Sequence, residues 1–589
     1  MNAEHSRISS QTHQKRNQRT LFLSEMPKLV IKSGSRPPWV GLAAAVWLEI
    51  SAGNGSNFPL YSNALKSVLG YNQRQLTLLG VANDVGESVG LLPGYACNKF
   101  PPWKVLLVGA CACFLGYGVI WLTVTEIVRG LPFWLLWIVL IIATNSNAWF
   151  GTAVLVTNMK NFPLSRGTVA GILKGYAGIA AAVYTVIYDV LLNKSPPKLL
   201  LFLALGIPVI CFAMMYFIRP CTPASGEDSS EHVHFVFAQA MSILVAVLVL
   251  AITLLGNFIS LSGTVLYTLV AIMVVLLASP LAIPIKMTLL RKKPKRVNPP
   301  PPADPSKDSC QAEEDDTEQT YPLLKPSSSS ASFLGTFIEM DDTSDVETLL
   351  AEGEGAVEEK RRPRRGEDFK LGEAFVKADF WLLWFLYFLG VGPGVTVLNN
   401  LAQIGIALGV DDTTILLCLF SFFNFAGRLG SGAISEHFVR SRAMPRTVWM
   451  TVAQIAMVIA FLLYAVSLTG SLYPATALLG TCYGFQYSLM VPTASELFGL
   501  KHFGLIYNFV LLGNPIGAFL FSSLLAGHLY DAEASRQGNS TCYGPECFRV
   551  TFLMLAGVSA MGAMLGVILT VRIRPVYRSL YASGSFRLP

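Results

Sequence analysis

Five ionisable side chains stand in stretches otherwise too apolar to hold a charge: Glu49, Asp84, Glu87, Lys174 and Arg428. Near the centre of a bilayer an ionised group costs at least about 2.5–3.5 kcal/mol, so it faces a water-filled cavity or a partner. A carboxylate in such a cavity has its proton affinity retuned by burial and neighbouring charge, and can load and release a proton during a cycle. Glu49, Asp84 and Glu87 are therefore the candidate proton carriers. Asp84 and Glu87 lie three apart and share a helical face. Lys174 is placed to attract the carboxylate of an anionic substrate or to neutralise one of these acids. A structural ion pair between Glu49 and Lys174 is the alternative, because pairing also answers the cost of burial. Arg428 is expected near the end of its segment, where it would position the following loop.

Amides and hydroxyls form a second layer. Ser51-Ala-Gly-Asn54-Gly-Ser-Asn57-Phe-Pro59 has poor helix propensity and interrupts the first apolar segment. Loosened backbone inside a membrane needs a partner, which a water-filled cavity or a substrate supplies. Gly390-Val-Gly-Pro393-Gly394, followed by Asn399, Asn400 and Gln403, is expected to interrupt a later segment in the same way. Paired interruptions are a sequence pointer to a central transport site. Asn145, Asn147, Gln486 and Tyr487 are expected to line the same cavity. For each amide singly, the alternative is an interhelical hydrogen bond worth under about 1 kcal/mol. His5, His13, His232 and His234 form no catalytic set, and there is neither a metal-spaced His/Cys cluster nor a phosphate loop. No enzyme activity, cofactor or metal is expected.

Helices crossing a membrane must position these groups. Hydrophobic residues make up 52% of the 589 and only 14% are charged, against about a quarter in soluble domains. Runs such as Val105–Val124, Phe133–Val156, Leu199–Ile218 and Phe235–Leu255 carry no charge over the length that crosses about 30 Å of hydrocarbon. About fourteen segments result: 39–62, 75–97, 104–125, 132–158, 166–190, 199–219, 235–256, 264–286, 378–404, 412–436, 446–468, 471–494, 503–530 and 549–572. The first six resemble the last six. Gly53-Asn54-Gly55 corresponds to Gly392-Pro393-Gly394, and Gly94 through Asn98 and Lys99 to Gly432 through Glu436. Gly171-x-x-x-Gly175 and Gly513-x-x-x-Gly517 complete the set as close-packing faces. Two matching six-helix halves are the architecture of an alternating-access carrier. The central pair has no counterpart and is expected to pack at the periphery.

The expected organisation is a basic tail at 1–38, a half at 39–219, two extra helices at 235–286, a polar loop at 287–377, a second half at 378–572 and a tail at 573–589. The polar loop has a composition that cannot bury enough apolar surface to fold alone. Basic clusters at Arg291–Arg296, Lys360–Arg365 and Arg572–Arg578 put the loop and both tails in the cytosol. They sit beside membrane segments, so the net charge of +7 points to no nucleic-acid partner. Tyr321-Pro-Leu-Leu324 and Asp345-Val-Glu-Thr-Leu349-Leu350 match short sorting forms read by cytosolic adaptor proteins. Asn193 and Asn539 head glycosylation sequons on outward loops. Cys542 and Cys547 lie five apart in one of those loops, where a disulfide persists.

The paired loops at Gly94, Asn98, Lys99 and at Gly432, Glu436 resemble the signature loop of the major facilitator superfamily, with its basic part reduced or spread. That resemblance implies a gating role for these residues and for Asp84 and Glu87 at the interface between halves. Ser56-Asn-Phe-Pro-Leu-Tyr-Ser62, Leu349-Leu-Ala-Glu-Gly-Glu-Gly355, Arg361-Arg-Pro-Arg-Arg-Gly-Glu-Asp368 and Phe388-Leu-Gly-Val-Gly-Pro-Gly394 are similar to the plant nodulin-like, nuclear-fusion-defective group. The resemblance covers about 35 to 575 and implies an all-α membrane carrier of the major facilitator fold. The expected function is secondary active, proton-coupled transport of a small polar metabolite, an organic anion being favoured by Lys174. A membrane sensor acting through its cytosolic loop and a metal or cation exporter are the alternatives. Membrane lipid, the solute, protons and adaptor proteins are the expected partners, at a vacuolar or plasma membrane.

Overall fold

Proline and glycine mark where the helices begin and end. Pro102 opens Pro102–Val124 and Pro196 opens Pro196–Leu201; in a first turn the missing N–H forfeits no helical bond. Gly70, with φ of 66°, stops Phe58–Leu69 by returning its N–H to the Lys66 carbonyl. The computed structural model describes residues 37–71, 73–221, 229–258, 262–289, 366–410, 413–467, 470–538 and 542–582. Among these, every regular element is helical, and 11 helices are long and apolar enough to cross a membrane. Three further expected segments are helical but fall outside that count: two are broken, and Leu472–Phe498 is the third. Packing divides the chain into a unit of Met1–Ile285 with Glu358–Pro589 and another of Lys286–Val357. The site lies in the first.

The first expected span is Pro37–Ala52, a tight 3₁₀ turn at Gly53–Asn57, and Phe58–Leu69. The glycines and asparagines that favour no α-helix produce that turn. The second is Gln73–Ser88 and Leu91–Lys99, broken at Val89-Gly90. Asn145 supports this break, its Nδ2 donating to the carbonyls of Gly86 (2.9 Å) and Val89 (2.7 Å).

The interruption expected at Gly390–Gly394 is absent, a correction to the sequence reading: Ala378–Ala407 runs unbroken with Pro393 inside it. Close neighbours shield the backbone there, Gly392 lying against Gly517 and Gly394 against the Tyr483 ring. Packed protein rather than an unwound turn answers the proline. The last helix also runs past its expected end at 572, through Pro575 to Ala582.

The repeat in the sequence is a repeat in packing. Gly53 lies against Ala180 of Arg166–Val186, and a Cβ on Gly517 would stand 2.5 Å from the Cα of Gly392. In each half the first span is thus seated on the fifth through small residues. The central pair leaves Val233, Val247 and Val275 exposed and packs through its first helix. Ser229–Phe258 packs on both Arg166–Val186 and Thr413–Arg442, Glu231 accepts from Ser165 Oγ at 2.9 Å, and Phe235 lies on Trp39.

The halves meet closely where glycine faces glycine. A Cβ on Gly432 would stand 2.6 Å from the Gly167 carbonyl oxygen and 2.8 Å from the Gly171 Cα. One on Gly94 would stand 2.5 Å from the carbonyl oxygen of Gly504. Both crossings lie toward one end, which carries the 161–166 and 440–446 connections and is called the basic end below.

Candidate functional site

Lys174 and Glu49 come together at the seam. Lys174 Nζ is 3.7 Å from Glu49 Oε2, with side chains 12% and 1% exposed. At that separation Glu49 has charge compensation but neither oxygen has a well-formed hydrogen bond. Gly151 lies beside the ammonium, where a Cβ would stand 3.7 Å from Nζ in ordinary contact. The ammonium also lies 5.8 Å from the centre of the Tyr507 ring, which the second half supplies.

Arg428 sits midway along Thr413–Arg442 and faces this pair. That corrects the expectation of a loop-positioning residue near the end of its span. Its Nη1 donates to the Lys174 carbonyl across the seam (3.1 Å), its Nε donates to Asn424 Oδ1 (3.0 Å), and its guanidinium covers the Tyr487 ring at 4.7 Å. Gly178 lies beside its side chain. The tyrosines form a wall: Tyr387 and Tyr487 rings lie 5.7 Å apart, Tyr483 and Tyr487 5.1 Å. Sequence reasoning named Arg428 and Tyr487 but missed the place of Arg428 at the seam and the rings of Tyr387 and Tyr483 beside it. A signal existed in the lone arginine inside an apolar stretch and in Tyr483 and Tyr487 one turn apart.

Asp84 and Glu87 stand on Gln73–Ser88, half-buried. Glu87 Oε1 accepts from Asn83 Nδ2 at 3.3 Å and lies directly on Gly55, whose missing side chain it replaces. Asp84 is within electrostatic reach of Glu87 and of Tyr483 on the other half. Neither belongs to the Lys174 pair. Asn54 is committed elsewhere: Nδ2 donates to Ser146 Oγ (3.0 Å) and Oδ1 accepts from the Tyr117 hydroxyl (2.9 Å), all fully buried. It knits the first half together rather than lining a path. Asn57 Nδ2 donates to the Asn54 carbonyl at 3.0 Å, and its Oδ1 has no partner.

In the second half Asn399 and Gln403 are exposed one turn apart on Ala378–Ala407. Asn400 instead turns to Ser522 Oγ (2.9 Å) and the Thr396 carbonyl. Gln486 faces away from the arginine, its Nε2 on the Met450 carbonyl at 2.9 Å and its side chain behind Gly390. The structure therefore assigns it to packing within that half, unlike the sequence reading.

At the basic end the loosely matching Glu436 is a hub. Its Oε2 accepts from Arg446 Nη2 (2.8 Å) and from the backbone N–H of Gly167 in the other half (2.9 Å). Its Oε1 accepts from Arg440 Nε (3.0 Å), and Arg440 Nη2 reaches across to the Leu164 carbonyl (2.6 Å) and Ser165 Oγ (2.9 Å). Arg446, 1% exposed, also binds Glu496, which receives the Tyr577 and Tyr581 hydroxyls. Arg166 Nη1 donates to the Ser495 carbonyl, and Asn508 Nδ2 to Thr152 Oγ1. These bonds fasten the halves from the Arg428 level to the basic end. The corresponding first-half residues carry no such network: Lys99 lies over Tyr95 of its own helix, and the buried Asn98 Oδ1 is unpartnered.

Cys542 and Cys547 are joined in a disulfide, and Asn193 is exposed in a turn with φ of 53°. Asn539, Tyr321, Leu324, Asp345, Leu349 and Leu350 lie outside the described residues.

Residues 38–285 match the family model described as Nodulin-like, and residues 368–580 match that of the NFD4 C-terminal domain. Protein NUCLEAR FUSION DEFECTIVE 4 of Arabidopsis thaliana is 30% identical over 572 residues, covering 94% of this chain and 92% of its own length. Probable transporter mch1 of Emericella nidulans is 25% identical over 206 residues, 28% of this chain and 33% of that one. Among solved structures, the major facilitator superfamily proton:xylose symporter XylE bound to 6-bromo-6-deoxy-D-glucose aligns with a TM-score of 0.50 at 9% identity, over 90% of this chain and 94% of that one. That last likeness is one of fold.

Proposed function

This chain belongs to the nodulin-like, nuclear-fusion-defective family and has the major facilitator transporter fold, and from that premise we propose that it is a proton-coupled carrier of a small organic anion. One observation carries the proposal: the buried Glu49–Lys174 pair stands at the seam between halves, in contact with Arg428 from the opposite side. A pair that only held one half together would have no need of the other half's cation. Rocking the halves about this point changes which charges Glu49 and Lys174 face, and so couples proton binding to solute binding.

Glu49 is the proposed proton carrier and Asp84 and Glu87 secondary ones. The bonds around Glu436, Arg440 and Arg446 act as the gate. With the basic end in the cytosol, as the positive-inside rule directs, the closed gate makes this the outward-facing form. Asn399 and Gln403 then line the open side. A vacuolar or plasma membrane and adaptor recognition of the polar loop complete the reading.

The test is proton flux into proteoliposomes challenged with pooled small metabolites, run on the native protein, Glu49→Gln and Lys174→Ala. Flux driven by one pool and lost in both variants supports the proposal. Flux that survives in Glu49→Gln overturns the role given to Glu49. Silence in every pool, with tracer exchange also absent from folded protein, overturns the carrier reading.

A further inference from the structure

We infer that the solute is a monoanionic carboxylate with a flat, conjugated body, and that Arg428, rather than Lys174, receives its carboxylate. The inference rests on the carrier reading and names the substrate class of that site.

The argument begins with charge. Lys174 already has a counter-ion in Glu49. Arg428 has none within ion-pair distance: its partners are the Asn424 amide, the Lys174 carbonyl and the Tyr487 ring, all neutral. Of the five donors on a guanidinium, one on Nε and one on Nη1 are committed, which leaves both donors of Nη2 and one of Nη1 for a solute. A planar guanidinium holds a carboxylate with a directionality an ammonium cannot offer. A buried cation needs such a partner, and the solute is the group that can come and go.

Next is the count of negative charges. Glu49, Lys174 and Arg428 together leave an excess of one positive charge. Asp84 stands within electrostatic reach of Tyr483, and Glu87 of Asp84. A second negative charge on the solute would meet these acids rather than another free cation. One carboxylate balances the site and two do not.

The last element is the wall beside the guanidinium. Tyr387, Tyr483 and Tyr487 present ring edges and faces to one another, and Tyr507 closes the Lys174 side. The Tyr387 hydroxyl is 0% exposed and lacks a well-formed hydrogen bond. Ring walls of this kind favour a planar π body over a saturated chain, and the spare hydroxyl suits a polar substituent on it.

Benzoate serves as the probe, with benzamide as its neutral isostere and phthalate as the dianion. Binding is measured calorimetrically on the full chain in nanodiscs. The native protein is expected to bind benzoate at least tenfold tighter than either competitor. Arg428→Gln is expected to raise the benzoate Kd at least about thirtyfold and to erase the preference over benzamide. Arg428→Lys weakens binding yet keeps the preference, which shows that the loss in Arg428→Gln is not one of folding. Tyr117→Phe, remote from the seam, retains the preference. The inference is overturned if folded Arg428→Gln keeps it while Lys174→Met loses it. It is overturned equally if folded native protein ignores benzoate while another solute class drives proton flux, an outcome that leaves the carrier reading standing. Benzoate binding with the predicted Arg428 dependence, but no flux from any pool, upholds the site and removes the carrier reading.

Discussion

Neutralising the Glu49–Lys174 pair one side at a time should hurt more than neutralising both. At 3.7 Å and an effective dielectric of about 20, the attraction is about 4.5 kcal/mol. Breaking a buried pair costs about 3–5 kcal/mol, because one charge is left uncompensated, whereas replacing both partners is close to neutral. Arg428 makes the two single changes unequal. Lys174→Met leaves Glu49 with Arg428 as a remaining cation, so its cost falls near about 3 kcal/mol. Glu49→Gln leaves Lys174 and Arg428 together without an acid, so its cost falls nearer about 5 kcal/mol. The double variant should recover to within about 1 kcal/mol of the native protein. The assay is equilibrium unfolding of the purified chain in mixed micelles, read as a double-mutant cycle with a coupling energy of at least about 2 kcal/mol. Additive losses, with the double variant the least stable, would refute an interacting pair and leave two independent buried polar groups.

Four other outcomes follow from the same geometry. Glu436→Gln removes the acceptor shared by Arg440, Arg446 and the Gly167 N–H; a cysteine introduced at Ser165 should then label faster with a water-soluble maleimide, and unchanged labelling would deny Glu436 a gating role. Gly432→Val places methyl groups against Gly167 and Gly171 and should cost about 1–3 kcal/mol by overpacking, seen as a lower unfolding midpoint with the same labelling increase. Tyr117→Phe strands the buried Asn54 Oδ1 at about 1–3 kcal/mol of stability, while the relative affinities of solutes stay as they are. Cysteines at Asn399 and Gln403 should both react with the maleimide and be protected by bound solute, whereas lipid-facing positions would react with neither treatment.

How far the sequence revealed this depended on whether a signal was local. Runs of apolar residues set the spans, and small-residue motifs set which spans touch: Gly53, Gly171, Gly392 and Gly517 all lie at close crossings. Glu49 and Lys174 were legible because an isolated charge in an apolar run demands a partner, and each is the other's nearest candidate in the first half. Arg428 was misread because its segment was ended at 436, whereas Thr413–Arg442 continues past Arg440, which meets Glu436. Six further residues move Arg428 from the end of the span to its middle. Pro393 was read as a break because propensity knows nothing of Gly517 and Tyr483, which shield that backbone. Asn54 and Gln486 look like pathway residues in isolation; only the fold shows that Tyr117 and the Met450 carbonyl already hold them. Of the Tyr wall only Tyr487 was singled out, since its members come from three separate helices.

The most direct test of an alternating site at the Glu49–Lys174–Arg428 seam is solute counterflow in proteoliposomes. Vesicles preloaded with an unlabelled solute that drives flux should accumulate its labelled form transiently above equilibrium, with saturable kinetics, and Arg428→Gln should abolish the overshoot. Linear uptake without overshoot, or an overshoot unchanged in Arg428→Gln, would contradict the account.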